Sequence, residues 1–421
     1  MNRVTPRGPH PLSGGVGVLC AALAVAAFVA PSSGHALARQ VSCGATITAD
    51  TRLTSDLTNC PNNGIVIGAD SITLDLNGHT VGGDGAPFAT CPEGASCDLG
   101  IDNTAGHNGV TITGGGVRGF DVGILVLGAS QDRIQKLASA NNSSFGMIVG
   151  DSRQIRIDHN SSVDDGVSGI VLFDSNDNRI DHNSVAGTTG YAVPVFGSSH
   201  NRFEQNVLER DEHGFLLGSS DQNEGSNNNE ITGNRISHGG SIEIAHSSDN
   251  RVEENTLSDP GDGILLGDAH RTRVNDNSIT DAGVGFPDVG GFGILLDGAD
   301  DSLVQRNRVT GGNGPAIFVT SLESLGTSDR NVISQNVATS RFSDGILVNA
   351  GATATQLERN TANENGHDGI EIDSPGTTVT GNTANLNLGL GIEAVPGTID
   401  GGGNRASGNG NPLQCTNVSC S

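Results

Sequence analysis

The chain has 421 residues, 62 of them glycine, with no tryptophan, one tyrosine and a formal charge of −25 from 47 acidic against 22 basic side chains. That charge repels polyphosphates and argues against a DNA or RNA partner, and a composition only 34% hydrophobic is too polar for a membrane protein. Lys136 is the only lysine, so arginine must supply every other strong cation.

At the amino terminus, Arg3 and Arg7 precede an apolar run from Val16 to Ala30, and Ala36-Leu37-Ala38 offers a small-x-small cleavage pattern. This predicts a secretory signal peptide over residues 1–38, with a run shorter than the ~18 residues a spanning helix needs. Its removal takes away two arginines and no acid, leaving 20 basic against 47 acidic residues, or −27. The expected location is secreted, cell-surface or periplasmic, with no membrane attachment after cleavage. Cysteine usage agrees: besides Cys20 in the leader, the cysteines fall in near pairs, Cys43 with Cys60, Cys91 with Cys97 and Cys415 with Cys420. Sequential pairing is the simplest of the many connectivities, and the lack of CxxC spacing argues against zinc or dithiol chemistry. The staples are thus expected at the two ends of the fold.

Between them runs a repeat. A glycine followed by an apolar-x-apolar triplet recurs from Gly100-Ile101 through Gly123-Ile124, Gly146-Met147, Gly169-Ile170, Tyr191-Ala192 and Gly214-Phe215 to Gly391-Ile392, with Tyr191 read as standing at a glycine position. Most intervals are 22–24 residues; three are 27, 30 and 29. A second column keeps the same period: Asn160, Asn183, Asn206, Asn234, Asn255, Asn277, Asn307, Asn336, Asn360, Asn382 and Asn404. A fixed period in the low twenties marks a solenoid whose units share one core. Short apolar-x-apolar triplets such as Ile155-Arg156-Ile157, separated by Gly, Asn, Asp and Ser, are strands with polar turns, and stacking them ~4.8 Å apart makes a parallel β-helix. Thirteen markers give about 13 coils and a rod of ~60 Å. The asparagine column becomes an internal amide ladder. The expected division is a cap with the first coils over 39–100, the β-helix over 101–405 and a C-terminal tail over 406–421.

The units Asn178-Arg179-Ile180-Asp181-His182-Asn183 and Asp262-Gly263-Ile264-Leu265-Leu266, with the entry segment Ile72 to Thr80, resemble right-handed parallel β-helix repeat proteins of the pectate-lyase-like superfamily, including NosD-type periplasmic proteins and carbohydrate-active enzymes. The resemblance spans roughly residues 64–405. It implies an all-β, single-stranded right-handed parallel β-helix with disulfide-stapled ends. It also implies binding or modification of an extracellular polysaccharide by a lyase, epimerase or hydrolase. The alternative is a non-catalytic structural or adhesive surface protein, for which a rigid acidic rod suffices. A monomer is expected.

Two constellations carry possible chemistry. Asp158-His159-Asn160 and Asp181-His182-Asn183 lie one coil apart, which stacks two carboxylates and two imidazoles ~4.8 Å apart and makes Asp158, Asp181 and His159 candidate metal ligands, with calcium the cation considered. Tyr191 with Asp211 and His213 one coil later, together with His182, forms the candidate catalytic set, since a tyrosine and a histidine can remove and return a proton. Asp211-Glu212-His213 looks like part of the Asp-Pro-His-Asp motif of β-helical mannuronan epimerases, with Glu212 in place of the proline and Gly214 in place of the final acid. The long intervals place extra residues at Gly218–Asn229, Val284–Gly291 and Thr320–Asp329, where loops would flank a groove. Gly114 to Gly119 satisfies a dinucleotide-binding glycine pattern, but no helix follows it.

Overall fold

The computed structural model describes residues 37–85, 98–219, 225–285, 290–321 and 326–421. The leader segment, Cys91 and Cys97, and the tips of all three long loops lie outside the described residues. The described chain is all strand and turn, and no helix is long and apolar enough to cross a membrane.

Each turn contributes one strand to a 15-stranded parallel sheet and, in most turns, two short strands to a 26-stranded one. Fifteen strands make fourteen turns from first to last, a rod of ~65 Å at ~4.8 Å per turn. The count exceeds the thirteen markers because Ala45–Ile47 and Ile65–Ile67 already lie in register, following Gly44 and Gly64. The first turns of the β-helix therefore lie within 39–100, the segment expected to hold the cap and the first coils. Its first described strand, Leu37–Arg39, pairs with Thr51–Leu53 and spans the expected leader boundary.

Alternation does the folding. Ile134, Ile157, Ile180, Phe203, Ile231, Val252 and Val274 form one inward column of the larger sheet, and Ile124, Met147, Ile170, Val193, Phe215 and Ile242 face them from the smaller; every one is at most 1% exposed. Burying such side chains stabilises each by roughly 1.5–3 kcal/mol.

The corner between the two short strands of a turn is equally regular. The residue before each ladder asparagine has a positive φ: His159 58°, His182 57°, Gln205 55°, Glu254 58°, Asp276 57°, Arg306 54°. A left-handed conformation costs a non-glycine residue about 1–2 kcal/mol. The asparagine that follows offsets it. From Asn160 to Asn404 each Nδ2 donates to the next Oδ1 at 2.9–3.3 Å. Its other hydrogen goes to a backbone carbonyl, as from Asn183 to the Ile157 oxygen at 2.9 Å.

Cys43 is bonded to Cys60 and Cys415 to Cys420, as sequential pairing expects. Residues 406–421, expected as a C-terminal tail, pair with the last turns. Cys415 bridges Ile392 and Cys420 bridges Asn404 in parallel, while Gln414 Oε1 accepts from the backbone and side-chain N–H groups of Asn409 and ends a second ladder running from Asn365 through Asn387.

Candidate active site

The outward face of the 15-stranded sheet is where chemistry departs from repeat. One column of outward side chains runs Leu125, Ile148, Val171, Pro194, Leu216, Glu243, Leu265, Leu295, Phe318 and Leu347, each opposite the next in register. Glu243 is the single acid in this otherwise apolar row. A neighbouring column runs through Tyr191 and His213, and Asp262 continues it two turns later with Gly240 between.

The two columns converge on a cleft of about 540 Å³ whose walls include Thr188, Arg210, Asp211, His213, Ser241, Glu243 and Asp262. That is ample for part of a small ligand. At its centre, Glu243 Oε2 accepts a hydrogen bond from the Tyr191 hydroxyl at 2.8 Å and Oε1 accepts one from Ser241 Oγ at 2.7 Å. His213 stacks on the Tyr191 ring, centroids 4.5 Å apart, and points Nδ1 at Glu243 Oε1 from 3.5 Å. Burial and the Glu243 charge push the Tyr191 hydroxyl far above its ordinary value, so it remains a neutral donor. Asp262 accepts the Phe292 N–H at 3.1 Å, yet burial, reinforced by the Glu243 charge, raises its carboxyl above the usual range. Asp211, 3% exposed, is raised by burial against the opposing Thr188 donors; both Thr188 groups go to Oδ1, leaving Oδ2 unpartnered. The cleft thus combines acids that burial pushes toward their protonated form with one acid whose two oxygens each accept a hydroxyl hydrogen bond, an arrangement that supports general acid–base chemistry.

The family described as right handed beta helix region matches residues 54–208, 222–384 and 288–417, most of the chain. The protein belongs to the right-handed β-helix family. Among solved structures, this β-helix protein is similar to the A-module of the mannuronan C-5 epimerase AlgE4 of Azotobacter vinelandii, with a TM-score of 0.50 and 15% identity over 74% of this chain and 89% of that one. The catalytic domain of a GH87 alpha-1,3-glucanase aligns with a TM-score of 0.46 and 12% identity over 83% of this chain, which spans 63% of the glucanase domain. The DFA-IIIase of Arthrobacter chlorophenolicus A6 gives 0.46 and 14% over 61% of this chain and 71% of that one. No curated protein matches the chain in sequence. At these identities the likeness is one of fold.

Of the residues singled out in the sequence, Tyr191, Asp211 and His213 meet in this β-helix protein at the cleft. Tyr191 does not occupy a glycine position, as the repeat marker had it. It lies directly opposite His213, and Ala192 takes the glycine place, 23 residues after Gly169 and 22 before Gly214. His182 lies on the other sheet and is not part of the cleft wall. It stacks with His159 as the period requires, centroids 4.9 Å apart and rings within 2° of parallel. Both occupy the left-handed corner that Gln205 and Glu254 fill elsewhere, so the fold sets their position and not their chemistry. The carboxylates beneath them are not open: Asp158 and Asp181 are at most 1% exposed. Arg133 grips Asp158 at 2.8 and 2.9 Å, Arg156 grips Asp181 at 3.2 and 3.1 Å, and His159 and His182 each add a contact of 3.0 Å. Burial raises Asp158, but the Arg133 guanidinium and His159 outweigh it and hold the carboxyl below its ordinary value. Asp158, Asp181 and His159 thus form an arginine-carboxylate ladder. Sequence reading passed over Glu243 and Asp262. The legible signal for Glu243 was an acid in a column that is otherwise apolar from Leu125 to Leu347.

Proposed function

We propose that this face binds an extracellular carbohydrate chain and that the Glu243 cleft cleaves or rearranges it by general acid–base catalysis, with hydrolysis of a neutral glycan the reading best supported. The observation that carries it is the unlike setting of two neighbouring acids: Asp262 is raised toward protonation by burial, while both oxygens of Glu243 accept hydroxyl hydrogen bonds, from Tyr191 and Ser241. Glycoside hydrolysis asks for this division between a proton donor and an ionised partner. Charge favours a neutral substrate: with Asp211 and Asp262 held toward their neutral forms, Glu212 and Glu243 still offset Arg210, the one fixed cation of the wall, so the cleft offers a polyuronate little to pair with. Aromatic surface is present despite the lack of tryptophan, because Phe292 and Phe318 pack at 5.5 Å on the same face, Phe292 directly opposite Asp262. Carbohydrate as the class is supported by the neighbours' own names, an epimerase of mannuronan and an alpha-1,3-glucanase. Paired cysteines that form disulfides fit an oxidising, extracellular setting.

A second reading, proton removal and return on a uronate, is favoured by the Tyr191–His213 stack. Incubation with neutral glucans and fructans and with polyuronates separates the two, reading new reducing ends and new unsaturated ends. Hydrolysis predicts reducing ends from a neutral glycan, falling about 10²–10⁴-fold in Glu243→Gln. Unsaturated or epimerised uronates would transfer the site to the second reading, and inactivity on every substrate by a folded chain would leave the structural rod.

A further inference from the structure

A second departure from the repeat lies four to five turns beyond Glu243 on the same sheet. The apolar outward column ends at Leu347, where Glu371 and then Glu393 follow in register, and Asp344 and Asp368 continue the column that holds Asp262. With His367 they are the one group of three or more His, Cys, Asp or Glu among the described residues whose ligand atoms all lie within 4.8 Å of one another.

The hydrogen bonding of this group is incomplete. Among the described residues His367 Nδ1 is the side-chain donor that meets this group: it sits 2.6 Å from Asp344 Oδ1, 3.7 Å from Asp368 Oδ2 and 3.8 Å from Glu371 Oε2. Backbone N–H groups serve the oxygens at the rear, Asp368 N–H donating to Asp344 Oδ1 at 2.8 Å and Leu390 N–H to Asp368 Oδ1. Asp368 Oδ2, on a side chain 2% exposed, faces the group and has no hydrogen-bond partner. A buried carboxylate oxygen without a donor costs several times what an exposed one does, and here three carboxylates share one imidazole. The Arg–carboxylate ladder of Asp158 and Asp181 shows how the same fold neutralises buried acids when no ion is intended: it supplies arginine. No arginine contacts this group among the described ion pairs.

We propose that Asp344, His367, Asp368 and Glu371 bind one divalent first-row cation of the Mn²⁺ or Zn²⁺ class. Three carboxylate oxygens and an imidazole nitrogen suit such an ion better than Ca²⁺, which takes six to eight oxygens. The ligands come from consecutive strands, Ile346 pairing with Ile370, with only Ile392–Ala394 after them. The ion therefore clamps the last turns together near the disulfide-closed end. It stands apart from the Glu243 cleft and does not depend on the reading given to that cleft.

Chelator-treated, dialysed protein titrated with Mn²⁺, Zn²⁺ and Ca²⁺ by calorimetry tests this, with thermal unfolding as a second readout. One equivalent of Mn²⁺ or Zn²⁺ is expected, with a raised Tm. Glu371→Gln and His367→Gln are expected to weaken it by at least the roughly 10–100-fold that loss of an outer-shell partner alone costs. Both side chains reach the surface and both replacements are close in size, so the fold persists, which circular dichroism checks. A His159→Ala/His182→Ala variant is expected to bind like the parent, removing the stacked imidazoles as the source. Absence of Mn²⁺ and Zn²⁺ uptake, uptake undiminished in Glu371→Gln, or preference for Ca²⁺ overturns the proposal.

Discussion

Replacement of Asn255 by alanine tests whether the asparagine ladder holds the solenoid together or merely decorates it. Asn255 is 1% exposed and makes four side-chain bonds: Oδ1 accepts from Asn234 N–H at 2.9 Å and Asn234 Nδ2 at 3.0 Å, and Nδ2 donates to the Ile231 carbonyl at 2.8 Å and Asn277 Oδ1 at 3.0 Å. Two of the four partners keep another bond, because Asn234 Nδ2 still reaches the Phe203 carbonyl and Asn277 Oδ1 still receives the Asn255 backbone N–H. The Ile231 carbonyl lies within the Glu230–Thr232 strand and keeps its place in the ladder with Arg251–Glu253, so only the Asn234 N–H is stranded, and at about 1–3 kcal/mol for such a group Asn255→Ala should destabilise by roughly 1–3 kcal/mol. Urea unfolding followed by far-UV circular dichroism measures it, with hydrogen exchange to show whether the loss is confined to the neighbouring turns, as nearest-neighbour stability in a repeat stack requires. The adjacent exposed corner residue supplies the control: Glu254→Gln should stay within about 0.5 kcal/mol of the parent. An Asn255→Ala effect no larger than that of Glu254→Gln would refute the ladder as a source of stability.

Three further outcomes follow from particular groups. Because burial raises Asp262, it stays protonated above the usual carboxylate range; activity that needs its proton should fall as pH rises through that raised value, and Asp262→Asn should abolish this limb of the pH–rate profile. Asp132, 2% exposed, is raised by burial to about 6, so between its unfolded value and about 6 the native state binds more protons than the unfolded one, and stability should fall by about 3 kcal/mol as pH rises across that window; Asp132→Asn should not show this fall when unfolding is measured at several pH values. Paired cysteine-to-alanine replacement at Cys43 and Cys60, which close a separation of 17 residues, should cost about 3 kcal/mol, against about 2 kcal/mol at Cys415 and Cys420 with a separation of 5, and chemical denaturation of the two variants ranks them.

The fold was legible because its physics is periodic. A glycine, an inward apolar residue and a ladder asparagine return at each turn, so any two columns suffice to name the architecture. Errors arose where a column carries an unusual residue. Tyr191 was assigned to the glycine position because the next residue, Ala192, is small but not glycine, and the pairing of Tyr191 with His213 needed the register of the sheet. Gly44 and Gly64 were passed over because the insertion before Gly100 breaks the period. Asp158 and Asp181 looked like ligands because a one-dimensional repeat shows acids and histidines recurring, whereas Arg133, Arg156 and Arg179 stand one strand position pair away and fold onto them across turns.

Recurrence and function therefore pull in opposite directions in a solenoid. A residue type that returns at every turn is answering a requirement of stacking: the Asp-His corners repeat, stack and are neutralised within the stack. Glu243 and Glu371 do the reverse. Each places a carboxylate where Leu216, Leu265, Leu295, Phe318 and Leu347 show that the face tolerates apolar side chains, so packing does not call for an acid there. Each also gathers polar partners, Tyr191 two turns and His213 one turn before the first, His367 and Asp368 on the same turn as the second. Both oxygens of Glu243 accept hydroxyl hydrogen bonds, whereas among the described residues the side-chain donor nearest Glu371 is the His367 imidazole. That contrast is why the first acid reads as a partner in proton transfer and the second as a cation ligand.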